Sequence, residues 1–288
     1  MKWLTSKMKS AARIRVRVMS RLENFMQRLV HVAGYELRPA PSPPKLNVFR
    51  GRWSRSLKET FPDITDREWN IYFKVREFSL LSLERIVANI RAIDYVLRRN
   101  VPGAIVECGV WRGGSAMAMA LAAMEHPRSL WMYDTFSGMT EPTEADVDLS
   151  GNRAISLMKE DAPKDRSVRG SIYCSASLED VKQNMRSTMY PTEMLRFVEG
   201  PVEKTIPEHA PESIALLRID TDWYESTRHE LEHLFPLLVP GGVLIIDDYG
   251  YWKGSRKAVD DFLRGELLLS RIDSTGVVAV KDSIGHWR

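Results

Sequence analysis

After residue 103, apolar residues form short runs that alternate with amphipathic segments. Seven of these runs are predicted to be strands: AIVECGV, SLWMYDTF, EMLRFVEG, IALLRIDTD, GGVLIIDDYG, LLLSRI and GVVAVK. Four segments between them have the apolar spacing of helices: SAMAMALAAM, LEDVKQNMRSTM, YESTRHELEHLFPLL and SRKAVDDFLR. This alternation indicates an α/β fold with a mostly parallel sheet that helices cover on both faces. In such sheets, ligands bind beyond the carboxyl ends of the strands.

Residues 60–100 are predicted to form a helical cap before the first strand. Thr65 or Asp66 can cap a first helix within ITDREWNIYFKVREF. A second helix is predicted from apolar residues at helical spacing, namely Leu83, Ile86, Val87, Ile90, Ile93 and Leu97. We therefore assign residues 46–288 to one domain that contains this cap near its N-terminus.

Residues 1–45 have a different composition from the rest of the chain. Lysine and arginine are interleaved with valine, methionine and leucine, and a proline-rich break, RPAPSPPK, follows. We predict a basic helical N-terminal extension and a linker. The extension can pack on the body or on a partner subunit, or it can contact a membrane surface or an acidic glycan. We also expect a homo-oligomer.

Charge and composition argue against several classes of protein. The formal net charge of the 288 residues is +3, which is too small to indicate binding to nucleic acid. The two cysteines, Cys108 and Cys174, are expected to be free thiols in a reducing compartment. No apolar run approaches the roughly 18 residues that a membrane span needs, and a cleaved signal peptide is not expected. We expect a cytoplasmic protein that can lie at the membrane periphery through its basic N-terminus.

A long polar segment separates the second and third predicted strands. Residues 141–170 contain many aspartates, glutamates, lysines and serines. Loops of this length inside compact domains are often lids. We predict a lid within residues 137–170, and a disordered loop without function is the alternative.

The turn after the first strand, VECGVWRGGS, has the composition of a ligand-binding loop. Its glycines let the backbone approach a ligand, and the helix that follows begins with unpaired N–H groups. The turn lacks the G-K-[ST] ending of a P-loop and is not a strict G-x-G-x-x-G, which disfavours a triphosphate. Asp134 ends the second strand, where a carboxylate can accept both hydroxyls of a ribose. A helix cap or a surface carboxylate is the alternative for Asp134.

Two neighbouring strands each end in a pair of acidic residues. These residues are Asp220, Asp222, Asp247 and Asp248. Four carboxylates close together repel one another strongly, and a bound cation relieves that repulsion. Oxygen ligands favour Mg²⁺ or Ca²⁺ over zinc. Alternatively, some of these carboxylates cap helices or pair with Arg218 or Arg228.

The string HELEH, residues 229–233, matches the H-E-x-x-H pattern of zinc proteases, in which two histidines four positions apart hold the metal. The apolar residues of the same predicted helix form its buried face: Leu231, Leu234, Phe235 and Leu238. We predict that His229 and His233, flanked by Glu230 and Glu232, lie on the solvent side. A zinc hydrolase is therefore disfavoured.

From about Phe78 to Lys281 the chain resembles the TylF/macrocin O-methyltransferase family. The matching strings are ECGVWRGGSAMAMA, YDTFSGMT, LLRIDTDWYESTRHELEHLFPLLVPGGVLIIDDYG and GSRKAVDDF. The resemblance covers about 200 of the 288 residues and excludes the N-terminal extension. It implies a Rossmann-like class I methyltransferase fold with a seven-stranded sheet. It also implies the use of S-adenosylmethionine and Mg²⁺, and methylation of sugar hydroxyls in antibiotics and related glycans.

The resemblance further implies roles for individual residues. Those implied to bind S-adenosylmethionine are Glu107, Gly109 and Ser115 (methionine and ribose part), Asp134 (ribose hydroxyls), Ser177 (adenine) and Asp220. Those implied to bind Mg²⁺ are Asp220, Asp247 and Asp248. Asp222 is implied to be the general base. Where family members have T-M-T-S, this chain has SLLS at residues 79–82, so cofactor contacts there are expected to use the backbone.

The implied chemistry makes defined demands on the protein. The methyl group on a sulfonium is already activated, so the enzyme must hold a hydroxyl oxygen in line with it, about 3 Å away, and remove its proton. Coordination to Mg²⁺ lowers the pKa of a sugar hydroxyl. Tyr224 stands near the position where related catechol enzymes carry a lysine, which favours an aspartate base and an alcohol acceptor.

Two other functions remain open at this point. One is a metal-dependent methyltransferase that acts on a phenol or another small-molecule hydroxyl. The other is a non-catalytic binding protein built on the same fold, against which the complete set of four aspartates argues.

Overall fold

The computed structural model describes residues 53–282, except residues 163, 164, 166, 168 and 169. The predicted N-terminal extension and linker, residues 1–45, lie outside the described residues. The chain divides into two units between Thr60 and Phe61, and of the first unit the structure describes only helix α1 (Trp53–Thr60). The predicted domain boundary after residue 45 therefore stays a prediction.

The second unit alternates strands and helices as the sequence indicates. Its helices are α2 (Asp66–Val75), α3 (Leu83–Arg98), α4 (Gly114–Ala122), α5 (Ala154–Asp161), α6 (Leu178–Arg186), α7 (Val202–Thr205), α8 (Tyr224–Leu234) and α9 (Lys253–Leu263). Its strands are β1 (Ala104–Cys108), β2 (Leu130–Asp134), β3 (Leu195–Glu199), β4 (Ile214–Ile219), β5 (Leu238–Ile246), β6 (Ser270–Arg271) and β7 (Val277–Val280). Among the described helices, none combines the length and apolar character that a membrane span requires.

The seven strands form one sheet in the order β3-β2-β1-β4-β5-β7-β6. Strands β1 to β5 are mutually parallel, and β7 runs antiparallel to both β5 and β6. The predicted α/β fold with a mostly parallel, seven-stranded sheet is confirmed. The strand order reverses between β1 and β4, and a ligand crevice is expected beyond the carboxyl ends of strands at such a reversal.

Two apolar layers cover the sheet, one on each face. Alternate residues of β1 point to opposite faces, so Ile105 packs in one layer while Val106 and Cys108 pack in the other. The first layer includes buried residues of α2, α3 and α4, and the second includes buried residues of α8 and α9. These layers fix the carboxyl ends of the strands from both sides.

The helical cap predicted before β1 is present in the described part of the chain. Helix α2 starts at a capping box in which Thr65, not Asp66, is the cap: Thr65 Oγ1 accepts from Glu68 N (3.3 Å), and Thr65 N donates to Glu68 Oε2 (2.7 Å). Helix α3 starts at Ser82, whose hydroxyl accepts from Arg85 N (3.2 Å). The N-cap at Ser82 thus places the first turn of α3 beside the cavity described below.

Candidate active site

A cavity of about 670 Å³ lies at the carboxyl ends of the central strands. This volume is in the range of small-molecule sites in proteins. Among the residues predicted for the site, the cavity wall includes Gly109, Asp134, Asp220, Asp222, Asp247 and Asp248. Because neighbouring parallel strands end at the same edge of the sheet, residues more than a hundred positions apart along the chain meet there.

The glycine turn after β1 is tied to the end of β2 by Asp134. Asp134 Oδ2 accepts hydrogen bonds from the backbone N–H groups of Val110 (2.7 Å) and Trp111 (2.9 Å), and Oδ1 accepts from Phe136 N (2.8 Å). Burial raises the pKa of Asp134, although these three donors lower it. The carboxylate therefore shapes the loop at which it was predicted to hold a ribose, and that binding role stays a prediction.

Gly109 allows the β1 turn and the β4 turn to touch. Its φ is +82°, and a Cβ at this position would lie 1.9 Å from the carbonyl oxygen of Asp220. No side chain fits at that distance, so glycine is required here. The glycine turn and the Asp220–Asp222 turn are consequently held as one unit at the strand reversal.

The other residues predicted to bind the cofactor lie elsewhere. Glu107 is fully buried and Ser115 is 5% exposed; the Ser115 hydroxyl accepts from Asn89 Nδ2 (2.9 Å). Ser177 caps α6, where its hydroxyl accepts from Asp180 N (3.1 Å). These three are not among the described residues that line the cavity. Their roles at the cofactor stay predictions.

Three of the four aspartates form a carboxylate cluster, which consists of Asp220, Asp222 and Asp248. One carboxylate oxygen from each lies within 4.8 Å of the others. Asp248 Oδ2 is buried and has no hydrogen-bond partner. Burial raises the pKa of Asp222 to about 7, and the neighbouring carboxylates of Asp220 and Asp247 also raise it. The cluster thus brings together three carboxyl groups whose simultaneous ionisation is unfavourable, although Asp220 also pairs with Arg218.

The fourth aspartate, Asp247, is bound by two arginines. Its Oδ1 accepts from Arg218 Nη2 (2.5 Å), and its Oδ2 accepts from Arg85 Nη1. Arg85 also donates through Nε to Asp273 Oδ2 (2.8 Å). The sequence grouped Asp247 with Asp220 and Asp248 as metal ligands, whereas the geometry brings Asp222 to those two. The division into ligands and base stays a prediction.

Arg218 is a buried cation that joins the ends of three adjacent strands. It is 1% exposed. Its Nη1 lies 2.7 Å from Glu107 Oε1 and 2.8 Å from Asp220 Oδ2, and its Nη2 binds Asp247. The pairing with Arg218 that the sequence left open is therefore present. Arg228, the other arginine considered, instead pairs on the surface with Glu225 and Glu232.

The prediction for Glu230 in the HELEH string is wrong. Glu230 is fully buried, and Thr221 Oγ1 donates to its Oε2 (3.1 Å). Burial raises the pKa of Glu230 well above its usual range. The buried face of α8 is wider than its apolar residues indicate, because it also includes Ser226 and Thr227. Glu232 is exposed as predicted.

The two histidines of this string are half-buried rather than turned fully to solvent. His229 Nε2 lies 2.9 Å from the carbonyl oxygen of Ile206, and the rings of His229 and His233 are 4.4 Å apart between centroids. His229 of α8 thus contacts the backbone at the residue that follows α7. Glu230, between them, points to the Asp220–Asp222 turn instead.

Arg85 and Asp146 were not predicted from the sequence as site residues. Arg85 lies 162 positions from Asp247 along the chain, and Asp146 lies 78 positions from the backbone N–H of Tyr224 that it binds. Contacts at such separations leave no local pattern. The one available signal for Arg85 was the cap at Ser82, which places a charged side chain in the first turn of α3.

Comparison with known proteins places the chain in a family. The sequence model of Macrocin-O-methyltransferase (TylF) matches residues 76–281, which is more than half of the 288-residue chain. The chain is 34% identical over 226 residues (75% of this chain, 78% of the relative) to the 8-demethyl-8-(2,3-dimethoxy-alpha-L-rhamnosyl)-tetracenomycin-C 4'-O-methyltransferase of Streptomyces olivaceus. It is 32% identical over 187 residues (64% and 67%) to the demethyldecarbamoylnovobiocin O-methyltransferase of Streptomyces niveus.

A solved structure agrees with these sequence relatives. The O-methyltransferase NovP superposes with a TM-score of 0.61 at 29% sequence identity, over 71% of this chain and 82% of that chain. The seven-stranded sheet and the cavity at its strand reversal are those of a Rossmann-like methyltransferase. The protein is an S-adenosylmethionine-dependent O-methyltransferase, and it belongs to the TylF macrocin O-methyltransferase family.

Proposed function

We propose that the protein transfers the methyl group of S-adenosylmethionine to a hydroxyl of a sugar in a glycoside, in a Mg²⁺-dependent reaction. The observation that carries this proposal is the carboxylate cluster, which opens into the same cavity as the glycine turn and Asp134. The name of the Streptomyces olivaceus relative, with its rhamnosyl group, supports a sugar acceptor.

The residues of the cluster fit a divalent cation such as Mg²⁺. They offer only oxygen donors, the preference of a hard cation. Asp248 Oδ2 lacks any donor although it is buried. Asp220 and Asp248 belong both to the cluster and to the predicted ligand set, with Asp247 as the predicted third ligand. When bound, the ion would lower the pKa of a coordinated hydroxyl.

Asp222 is the residue proposed to accept the proton of that hydroxyl. It lines the cavity at a φ of +67°, a conformation uncommon for a residue other than glycine. Burial raises its pKa to about 7, and a base is most effective when its pKa lies near the working pH. The apolar side chains of Leu157, Ile172 and Trp252 line the same cavity and would exclude water from it.

The choice of acceptor can be tested directly. The full chain is incubated with S-adenosylmethionine and MgCl₂, with demethyldecarbamoylnovobiocin, the rhamnosyl tetracenomycin glycoside or catechol as acceptor, and products are separated by mass spectrometry. We expect methylation of a glycoside, with fragmentation placing the methyl group on the sugar. Methylation of catechol with neither glycoside modified would favour the phenol-directed alternative.

Mg²⁺ is expected to stabilise the protein more at about pH 8 than at about pH 6. The folded-state pKa of Asp222 is raised to about 7, above the value of about 4 of an unfolded aspartate. Its contribution to the stability of the metal-free protein is therefore fully present below about pH 4 and is lost as the pH rises through about 7. Mg²⁺ binds the deprotonated carboxylates, so its stabilising effect grows over that window.

Differential scanning fluorimetry with and without MgCl₂ measures this difference. Asp222→Asn is the control, because it removes one of the titrating groups and should reduce the pH dependence of the Mg²⁺-induced Tm shift; burial also raises the pKa of Asp220 and Asp248, which remain. A Tm shift of equal size at all pH values in the wild-type protein would contradict the prediction.

A further inference from the structure

Asp146 is a buried residue of the segment predicted as a lid, and it contacts the start of α8. It has no exposed surface. Its Oδ2 accepts from the N–H (2.6 Å) and the hydroxyl (2.8 Å) of Thr143, and its Oδ1 accepts from Tyr224 N (2.7 Å). These hydrogen bonds of the carboxylate thus either shape the chain around residues 143–146 or join it to α8.

Helix α8 depends on Asp146 for a function that the preceding residue usually supplies. The N-cap of α8 is Trp223, which makes no side-chain capping bond. A carboxylate at a helix start satisfies a free N–H group and interacts favourably with the helix dipole. Here the carboxylate comes from 78 positions earlier in the chain.

Other contacts near the hydrogen bond between Asp146 and Tyr224 N also join this part of the chain to α8 and α9. Trp223 Nε1 donates to the carbonyl of Thr140 (3.1 Å), and Lys253 N donates to the carbonyl of Val147 (2.8 Å). Ala154 and Met158 of α5 pack in one apolar cluster with Trp223 and Trp252. The segment is thereby docked on the starts of both α8 and α9.

Gly254, at the start of α9, lies directly against the Asp146 carboxylate. A Cβ at Gly254 would lie 2.0 Å from Asp146 Oδ1. The glycine has no unusual φ that would require it. Its role here is to leave room for the Asp146 carboxylate.

Asp222 lies two residues before the N–H group that Asp146 binds. Between them, Trp223 N donates to Thr221 O (2.8 Å), which closes the Asp220–Asp222 turn. We propose that Asp146 is a positioning residue for methyl transfer, which fixes residues 140–158 against the start of α8 and thereby fixes Asp222 in the cavity. This inference rests on the proposed function for the role of Asp222 as the base.

Proline at position 224 removes the N–H group that Asp146 binds and puts its ring Cδ in that place. Tyr224 is the first residue of α8, where proline is tolerated, and Trp223 has φ −89° and ψ 157°, which a residue before proline can adopt. Tyr224→Ala is the matched reference, because both variants lose the tyrosine side chain and only Tyr224→Pro loses the N–H. The comparison therefore reports on the contact between Asp146 and the start of α8, and Asp146→Ala removes the same hydrogen bond without adding a proline ring.

We expect Tyr224→Pro to have a kcat about 10–100-fold below that of Tyr224→Ala, because a small displacement of a reacting group is enough for such a loss. The KM for the glycoside and the Kd for S-adenosylmethionine should differ by less than about threefold. Asp146→Ala should show the same kcat loss, and the double variant with Tyr224→Pro should be no slower than either. Asp146→Asn keeps an acceptor for Tyr224 N and should retain more activity than Asp146→Ala.

Hydrogen exchange followed by mass spectrometry gives a second readout that needs no acceptor. In Tyr224→Pro, peptides from residues 141–162 and 220–227 should exchange at least about tenfold faster than in Tyr224→Ala. Gly254→Ala should have the same effect, whereas Lys253→Ala, at an exposed neighbouring position, should not.

Equal exchange in Tyr224→Pro and Tyr224→Ala would overturn the proposal, and so would faster exchange with an equal kcat. If the wild-type protein methylates no glycoside, the proposed function fails. The exchange comparison then still decides whether Asp146 holds the segment and the turn together.

Discussion

Asp222→Asn is expected to lower kcat by about 10²–10⁴-fold, the usual contribution of a positioned general base. The substitution keeps the shape of the side chain but removes its ability to accept a proton. Asp222 is half-buried in the cavity, within the carboxylate cluster. Binding of S-adenosylmethionine, measured by calorimetry, should persist, and added Mg²⁺ should not restore the rate.

Asp247→Asn is the matched variant for the base assignment. Asp247 is bound by Arg85 and Arg218, and it is the predicted third metal ligand. Its replacement should weaken Mg²⁺ affinity, and high Mg²⁺ should partly restore the rate. If Asp222→Asn turns over at the wild-type rate, or if high Mg²⁺ restores it as it restores Asp247→Asn, the assignment of Asp222 as the base is wrong.

Arg218→Met is expected to destabilise the fold by about 3–5 kcal/mol, the cost of removing one partner of a buried ion pair. The substitution leaves Glu107, Asp220 and Asp247 without the cation that they share. Glu107 is fully buried, and burial raises its pKa to about 7 even beside Arg218. Urea unfolding of the metal-free protein near neutral pH measures the loss.

Two controls define the origin of that loss. Arg228→Met removes an exposed arginine with partners at 3.3 Å, and exposed pairs contribute only about 0–1 kcal/mol. Glu107→Gln removes one of the orphaned charges, so the cost of Arg218→Met should be smaller in that background. If Arg218→Met lowers the free energy of unfolding no more than Arg228→Met does, the fold does not depend on the pairing of Arg218 with these carboxylates.

The sheet and the place of the cavity could be predicted because they depend on local patterns. Apolar runs mark β1 to β5, turns follow them, and parallel topology then brings Asp134, Asp220 and Asp247 to one edge of the sheet. The last strands were harder to place. LLLSRI predicted a strand of six residues, but in the structure only Ser270 and Arg271 form β6, which pairs with β7 at the edge of the sheet.

The charge pairing of the site could not be predicted from local patterns. The strand-end pattern does not distinguish the four aspartates, and the resemblance grouped Asp247 with Asp220 and Asp248. In the structure two arginines bind Asp247, and Asp222 lies with Asp220 and Asp248 instead. Likewise, the apolar residues of α8 indicated a narrow buried face, and Glu230 lies on that face because Thr221 provides it with a hydrogen bond. Such outcomes depend on which strands and helices become neighbours.

The SLLS turn illustrates the same point. The sequence indicated that side chains differ there from those of the family and that cofactor contacts use the backbone, which stays a prediction. In the structure, Ser82 caps α3 and donates to Asp273 Oδ2 (2.8 Å), while Leu80 and Leu81 line the cavity. Both serines of the turn bond within the protein, since Ser79 Oγ accepts from Leu81 N (3.1 Å).

Mg²⁺-dependent methylation of a sugar hydroxyl can be tested by following the transferred methyl group itself. The protein is treated with a chelator, then supplied with S-adenosylmethionine labelled with ¹³C in its methyl group and with the rhamnosyl glycoside, and NMR follows the label with and without MgCl₂. We expect a labelled methyl group on a sugar oxygen, formed when Mg²⁺ is restored and suppressed in its absence. The same rate with and without Mg²⁺, or a label found only on an oxygen of the aglycone, would contradict it.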